Sequence, residues 1–84
     1  MKDVWKFLAK LGKELHLGEN VDTDSRQILD ELHKDADRIE ESGSEHVEPM
    51  MDRIKELEAK FASEHPALEQ AARELADALA KMGI

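Results

Sequence analysis

Four histidines are the side chains in this sequence best suited to acid–base or metal chemistry, and one of them has helical spacing to carboxylates. Asp30-x-x-His33 and His33-x-x-x-Asp37 place an acid one turn away on each side of His33. A di-iron carboxylate bundle needs two Glu-x-x-His motifs and two further inward glutamates. His33 also lies outside the apolar arc of its predicted helix. We therefore predict a solvated histidine, no metal site and no cofactor, and a metal-binding helical protein is the weakest functional alternative.

The other histidines are His16, His46 and His65. His65 precedes Pro66 at the corner between two predicted helices, where a histidine ring can satisfy terminal backbone groups. We interpret His65 as a capping or packing residue that takes no part in catalysis.

Nucleophilic side chains lack the settings that activate them. The chain has no cysteine and no Gly-x-Ser-x-Gly turn. Its serines lie in or near predicted loops and helix caps, where serines ordinarily make turn and cap hydrogen bonds. The glycines are too scattered for a phosphate-binding loop, and so small a core offers little room for a cleft that would perturb the pKa values of paired acids. We predict no catalytic residue, no cofactor-binding residue and no enzyme activity.

A basic face runs along the first predicted helix. An apolar stripe of Val4, Leu8, Leu11 and Leu15 lies opposite four lysines, and Trp5 borders the stripe. A basic amphipathic helix with a nearby tryptophan can lie on an anionic membrane surface. The same helix can instead pack its apolar face into a bundle and leave the lysines in water. The residues that would serve the membrane alternative are Lys2, Trp5, Lys6, Lys10 and Lys13.

The net charge of −8 is concentrated in one segment. Residues 19–48 hold eleven acids and three bases, so the charge of this segment alone equals the net charge of the whole chain. Nucleic-acid binding needs clustered Lys and Arg to neutralise phosphates, so we predict none. No stretch approaches the ~20 apolar residues of a membrane span, and lysines interrupt any run that resembles a signal peptide. Because the chain also lacks cysteine, we expect a cytoplasmic location.

Helices must position these residues, because apolar side chains recur every three or four positions along most of the chain. We predict a single domain over 1–84, with helices at about 2–16, 24–41, 47–64 and 66–82. Their similar lengths and short links predict an all-α fold, an up-down bundle of four amphipathic helices with a tight C-terminal αα-hairpin. A single long kinked helix is the competing geometry around the 64–66 link.

The third and fourth helices carry the clearest apolar seams, with spacings of three and four residues. The third helix contributes Val47, Met50, Ile54, Leu57 and Phe61, and the fourth contributes Leu68, Ala72, Leu75, Leu79 and Met82. A ridge of small residues (Ala67, Ala71 and Ala78) flanks the second seam and would allow another helix to approach closely.

Two stretches of the sequence carry a family resemblance. In the C-terminal third these are Phe61, His65-Pro66-x-Leu68 and the ending Leu75-Ala76-Asp77-Ala78-Leu79-Ala80-Lys81-Met82-Gly83-Ile84; in the middle, Val21-Asp22, Ser25-Arg26, Ile28-Leu29 and Leu32. They resemble a small bacterial family of domains of unknown function with a Met-Gly-Ile-like terminus. The resemblance implies a bacterial cytoplasmic protein and brings no activity, cofactor or catalytic residue.

The leading functional prediction is a non-enzymatic protein-interaction or self-association module. We expect a homodimer or a protein partner, because burying a ridge against a second copy would compensate for a small core. The alternative is a peripheral membrane-surface protein that uses the first helix. The predicted interaction residues are Ile54, Leu57, Phe61, Leu68, Ala71, Leu75, Ala78 and Leu79.

Overall fold

Four α-helices form the described part of the chain. The computed structural model describes residues 2–17, 23–43, 47–63 and 65–82. The helices are α1 (Lys2–Leu17), α2 (Thr23–Ser42), α3 (Val47–Phe61) and α4 (Pro66–Ala80), and the described ranges contain no strand. The predicted all-α fold is confirmed.

The helices pack as an up-down bundle in cyclic order. Helix α1 contacts α2 and α4, and α3 contacts the same two helices, so α1 and α3 lie diagonally opposite. The bundle measures 35 × 19 × 19 Å, which is about one helix long and two helices wide. The α1–α2 pair makes the least extensive contact, whereas the α3–α4 pair makes the most. The C-terminal hairpin is therefore the most closely packed part of the bundle.

Each helix buries one apolar face, as its residue spacing predicts. In α1 the buried side chains are the four predicted ones. In α2 the apolar spacing predicts a stripe of Ile28, Leu29, Leu32, Ala36 and Ile39, of which the last three are buried and the first two are half-buried. The buried apolar core comprises Val4, Leu8, Leu11, Leu15, Leu32, Ala36, Ile39, Val47, Met50, Ile54, Leu57, Phe61, Leu68, Ala71, Ala72, Leu75, Ala78 and Leu79.

The junction of α3 and α4 is a hairpin. Arg73 Nε lies 3.0 Å from Glu58 Oε1, although fifteen positions along one straight helix would separate the two residues by about 22 Å. Helix α3 ends at Phe61, three residues before the predicted position. The backbone must leave the α region before Pro66, and the His65 N–H donates to the Phe61 carbonyl oxygen at 2.9 Å, which closes the turn.

The other helix ends differ from the predicted ones by two residues or fewer. Helix α4 ends at Ala80 instead of 82, because the Met82 N–H turns to the Leu79 carbonyl oxygen at 3.1 Å, three positions back. Helix α2 ends at Ser42, followed by Gly43 with a positive φ of 92°. The sequence also predicts a helix stop at Gly18 and a folding back of Ile84 near Leu79, and both positions lie outside the described residues.

Candidate functional site

The predicted interaction residues form the chain's own core. All eight of them, on α3 and α4, are at most 6% exposed. A second copy could contact them only if the bundle opened. The structure therefore assigns these positions to intrachain packing, and a binding surface has to be sought on the outside of the bundle.

The predicted alanine ridge is occupied by α1. Ala71 and Ala78 are buried, and Lys10 Nζ of α1 lies 3.1 Å from Glu74 Oε1 on the same side of α4. Two small surface clefts along this junction contain Ala67 and Ala78 together with α1 side chains. Small side chains here allow α1 to approach α4, so the ridge serves the bundle itself.

A surface concavity lies between α3 and α4, on the side of this hairpin that faces away from α1. This groove has a volume of about 790 Å³. It is open along its length and follows both helices, over about three turns of α3 from Glu48 to Glu58 and about two turns of α4 from Arg73 to Ala80. We call it the α3–α4 groove; it is lined by Glu48, Met51, Asp52, Lys55, Glu58, Arg73, Ala76, Asp77 and Ala80.

The floor of the groove is apolar and made of small or flexible side chains. Met51 and Ala76 are half-buried against the core, and Ala80 is exposed. Methionine adapts its shape to irregular contacts and is common on binding surfaces. Alanine lets a neighbouring backbone come close. The floor can therefore accept apolar side chains from another molecule.

The two halves of the groove rim differ in how their charges are paired. At the hairpin end, Arg73 binds Glu58 at 3.0 Å and Glu69 at 3.6 Å. The hydrogen bond that Arg73 donates to Glu58, followed by the charges of Glu58, Glu69 and Asp77, raises the pKa of Arg73. At the other end Glu48 and Asp52 make no ion pair with any described residue, although Lys55 lines the groove one turn from Asp52. The groove therefore has more acids than bases along its rim.

A buried ion pair joins α2 to α3 on another side of the bundle. Asp35 is 2% exposed and accepts a short hydrogen bond from Arg53 Nη1. Arg53 Nε also lies 3.2 Å from Glu31, and Arg38 lies 3.6 Å from Asp35. The hydrogen bond to Asp35 is the main cause that raises the pKa of Arg53, against the effect of burial. This cluster holds α2 and α3 in register, and all its charges are paired.

The apolar face of α1 lies inside the bundle, and its lysines lie outside. Lys2, Lys6, Lys10 and Lys13 are exposed. Trp5 is half-buried at the α1–α2 contact, where its indole N–H donates to Glu40 Oε2 at 3.0 Å. Membrane binding through α1 would therefore require this helix to leave the core. No described helix has the length and apolar character needed to span a bilayer.

The histidines do not form a common site in the described structure. His16 and His33 are exposed, and the His33 ring lies 6.2 Å from the Trp5 ring between centroids. His65 makes no side-chain cap hydrogen bond; its ring packs edge-on against Phe61 at 5.6 Å, so packing is its observed role. Within the described ranges no three His, Cys, Asp or Glu side chains cluster as metal ligands. His46 lies outside these ranges.

Comparison with known families decides one point. The family model described as a domain of unknown function, DUF4404, matches residues 5–84. The chain belongs to this family. The predicted membership in a small family of unknown function is thereby confirmed, whereas the bacterial origin and the C-terminal motif stay predictions. Searches of curated proteins and of solved structures found no match for this DUF4404 chain.

The groove residues of this DUF4404 chain were absent from the predicted interaction set. Met51 directly follows Met50, which belongs to the predicted seam of α3, so the apolar spacing did not single out Met51. Ala76 and Ala80 lie four residues apart on α4, beside Asp77. The available signal was this second, weaker apolar strip next to each seam, bordered by the like-charged pair Glu48 and Asp52 four residues apart.

Proposed function

We propose that this DUF4404 chain is a non-enzymatic protein-interaction module that binds a helical segment of another protein in the α3–α4 groove. The observation that carries the proposal is the groove itself, an open channel of about 790 Å³ with a methionine and alanine floor. It lies directly outside the most closely packed helix pair, so its walls are firmly held.

A helix is the occupant that suits this geometry. Helices pack by setting side-chain ridges into the grooves of their neighbours. A three-turn channel between two parallel ridges accommodates anchors at positions i, i+3 or i+4, and i+7 of a third helix. Small-molecule sites, by contrast, enclose most of the ligand surface, and this groove is open along its length.

Self-association has less support from the geometry. The predicted seam is buried, so a second copy would have to dock on the outer surface. Both copies would carry a net charge of −8. Placing two acidic grooves face to face would oppose like charges, which weakens association and its rate. The proposal therefore commits to a different protein as the partner.

The test is a nuclear magnetic resonance titration with a designed helical peptide. The probe has leucine at heptad a and d positions, glutamine at the flanking e and g positions, and alternating Glu and Lys outside. We expect amide shift changes around Met51, Lys55, Ala76 and Ala80. Changing Met51→Gln should weaken binding about tenfold, since a buried methionine side chain contributes about 1.5 kcal/mol.

A matched pair of alanine substitutions separates the groove from the rest of the surface. Ala80 lines the groove and Ala59 does not, and both are exposed on helices. Ala80→Gln places a longer polar side chain on the floor and should weaken binding, whereas Ala59→Gln should leave it unchanged. Shift changes that are absent, or that concentrate on α1 and α2, would contradict the proposed site.

A further inference from the structure

We infer that the partner helix is basic along the edge that lies over the Glu48 end of the groove. This inference rests on the proposed function and adds the charge of the partner to it. Glu48 and Asp52 line that end without an ion pair to any described residue. Four acids and two bases line the whole groove, so its apolar floor has a border of net negative charge.

Several acids at the other helix junctions of this chain are paired with a base across the junction. Across α2 and α3, Asp35 and Glu31 are bound by Arg53. Across α1 and α4, Glu74 is bound by Lys10. At the Glu48 end of the α3–α4 groove, Glu48 and Asp52 make no ion pair across the junction with any described residue.

The spacing of these acids matches a helical partner. Glu48 and Asp52 are four residues apart on one face of α3, a like-charge arrangement that disfavours an isolated helix. Asp77 borders the groove from α4. Lysine or arginine residues spaced three or four positions apart on a docked helix would face both sides of this end while apolar anchors contact Met51 and Ala76.

The chain's own basic helix does not meet this description. The lysines of α1 are exposed, but its apolar residues Leu8, Leu11 and Leu15 are in the core. The outer face of α1 therefore offers charge without an apolar ridge. A basic amphipathic helix of another protein supplies both.

Three peptides that differ only in flanking charge test the inference. They share the leucine seam and outer positions of the probe described above, and carry Lys, Gln or Glu at e and g. At low ionic strength we expect the Lys peptide to bind roughly tenfold more tightly than the Gln peptide, and the Glu peptide to bind least. The difference should shrink at about 1 M salt, where screening acts over about 3 Å.

Two charge-matched double variants locate the effect. Glu48→Lys with Asp52→Lys should abolish or invert the preference for the Lys peptide. Asp37→Lys with Glu41→Lys makes the same charge change at the same four-residue spacing on an exposed face of α2. This control variant should retain the preference for the Lys peptide. The milder pair Glu48→Gln with Asp52→Asn should reduce the preference, and it keeps the test valid if the lysine variant fails to fold by circular dichroism.

The outcomes separate the inference from the proposed function. Equal binding of all three peptides in the groove would overturn the inference and leave the proposed function standing. If the groove variants keep the preference for the Lys peptide, or if the α2 variants lose it equally, the preference arises from net charge. Either result would also overturn the inference. Binding of none of the peptides would overturn the proposed function itself.

Discussion

At the residue scale, the Asp35–Arg53 pair is the most consequential polar contact in the described core. A carboxylate that is 2% exposed has lost almost all contact with water, and desolvation is compensated only by the charges around it. Arg53 contributes from a partly exposed position, at 33% exposure, while Arg38 is further away and more exposed. The two arginines should therefore contribute unequally to stability.

Removing the closer arginine should be costly. Arg53→Met is expected to lower the free energy of unfolding by about 2–3 kcal/mol, because it leaves a buried charge poorly compensated, a cost reduced by the partial exposure of the pair. Arg38→Met, the control, should cost no more than about 1 kcal/mol. Urea unfolding measures both. The double change Asp35→Leu with Arg53→Met should be more stable than Arg53→Met alone, and a less stable double variant would contradict this view of the pair.

The pH dependence of this contact follows from the raised pKa of Arg53. A basic group whose pKa is raised on folding stabilises the protein fully below its unfolded pKa and loses that contribution only as pH rises through the folded pKa. For arginine both values lie far above neutrality. The Arg53 contribution should therefore be constant between about pH 6 and 9.

At the element scale, two glycines differ in whether their backbone conformation requires a glycine. Gly12 lies inside α1, and a Cβ added there would meet Leu29 Cδ2 at an ordinary 3.6 Å. Gly43 follows α2 with a φ of 92°, a conformation that side chains with a Cβ rarely adopt. Gly12 weakens α1, although no neighbouring atom requires a glycine there. Gly43 ends α2 in a backbone conformation that favours glycine.

The same substitution at the two sites should therefore have opposite effects. Gly12→Ala is expected to raise the free energy of unfolding by about 0.5–1 kcal/mol through lower backbone entropy in the unfolded chain. Gly43→Ala should lower it by about 1–2 kcal/mol through steric strain. Thermal and urea unfolding of the pair provide the comparison. A stabilising Gly43→Ala, or a destabilising Gly12→Ala, would show that these helix positions are misassigned.

Most of the fold was accessible to sequence analysis because the apolar spacing is regular. The seams of α3 and α4 and the stripe of α1 are buried where the pattern places them. The end of α3 was placed too late, because periodicity continues past Phe61 while the backbone already turns for Pro66. The burial of Ala71 and Ala78 inside the bundle could not be predicted, because spacing alone cannot show which neighbour, α1 or another chain, covers a small-residue ridge. A role for these residues in binding a partner stays a prediction.

At the whole-molecule scale, some acids are paired with bases across helix junctions, whereas others lie unpaired on the outer surface of the bundle. Glu74 with Lys10 and Glu58 with Arg73 are acids paired with a base across a helix junction. Acids of the described residues that make no such pair leave a negative outer surface, in keeping with the net charge of −8. Such a field keeps copies of the chain apart and attracts basic partners, with both effects reduced by salt.

The central claim is that the α3–α4 seam is used inside one chain and that the outer groove receives a different molecule. Light scattering after size exclusion, over a concentration series at low ionic strength, tests it most directly. A mass of 9.5 kDa at every concentration is the expected result, together with a fully helical spectrum. A mass that rises toward twice this value with concentration, and helix that is lost on dilution, would contradict it, because the seam would then need a second copy to be buried.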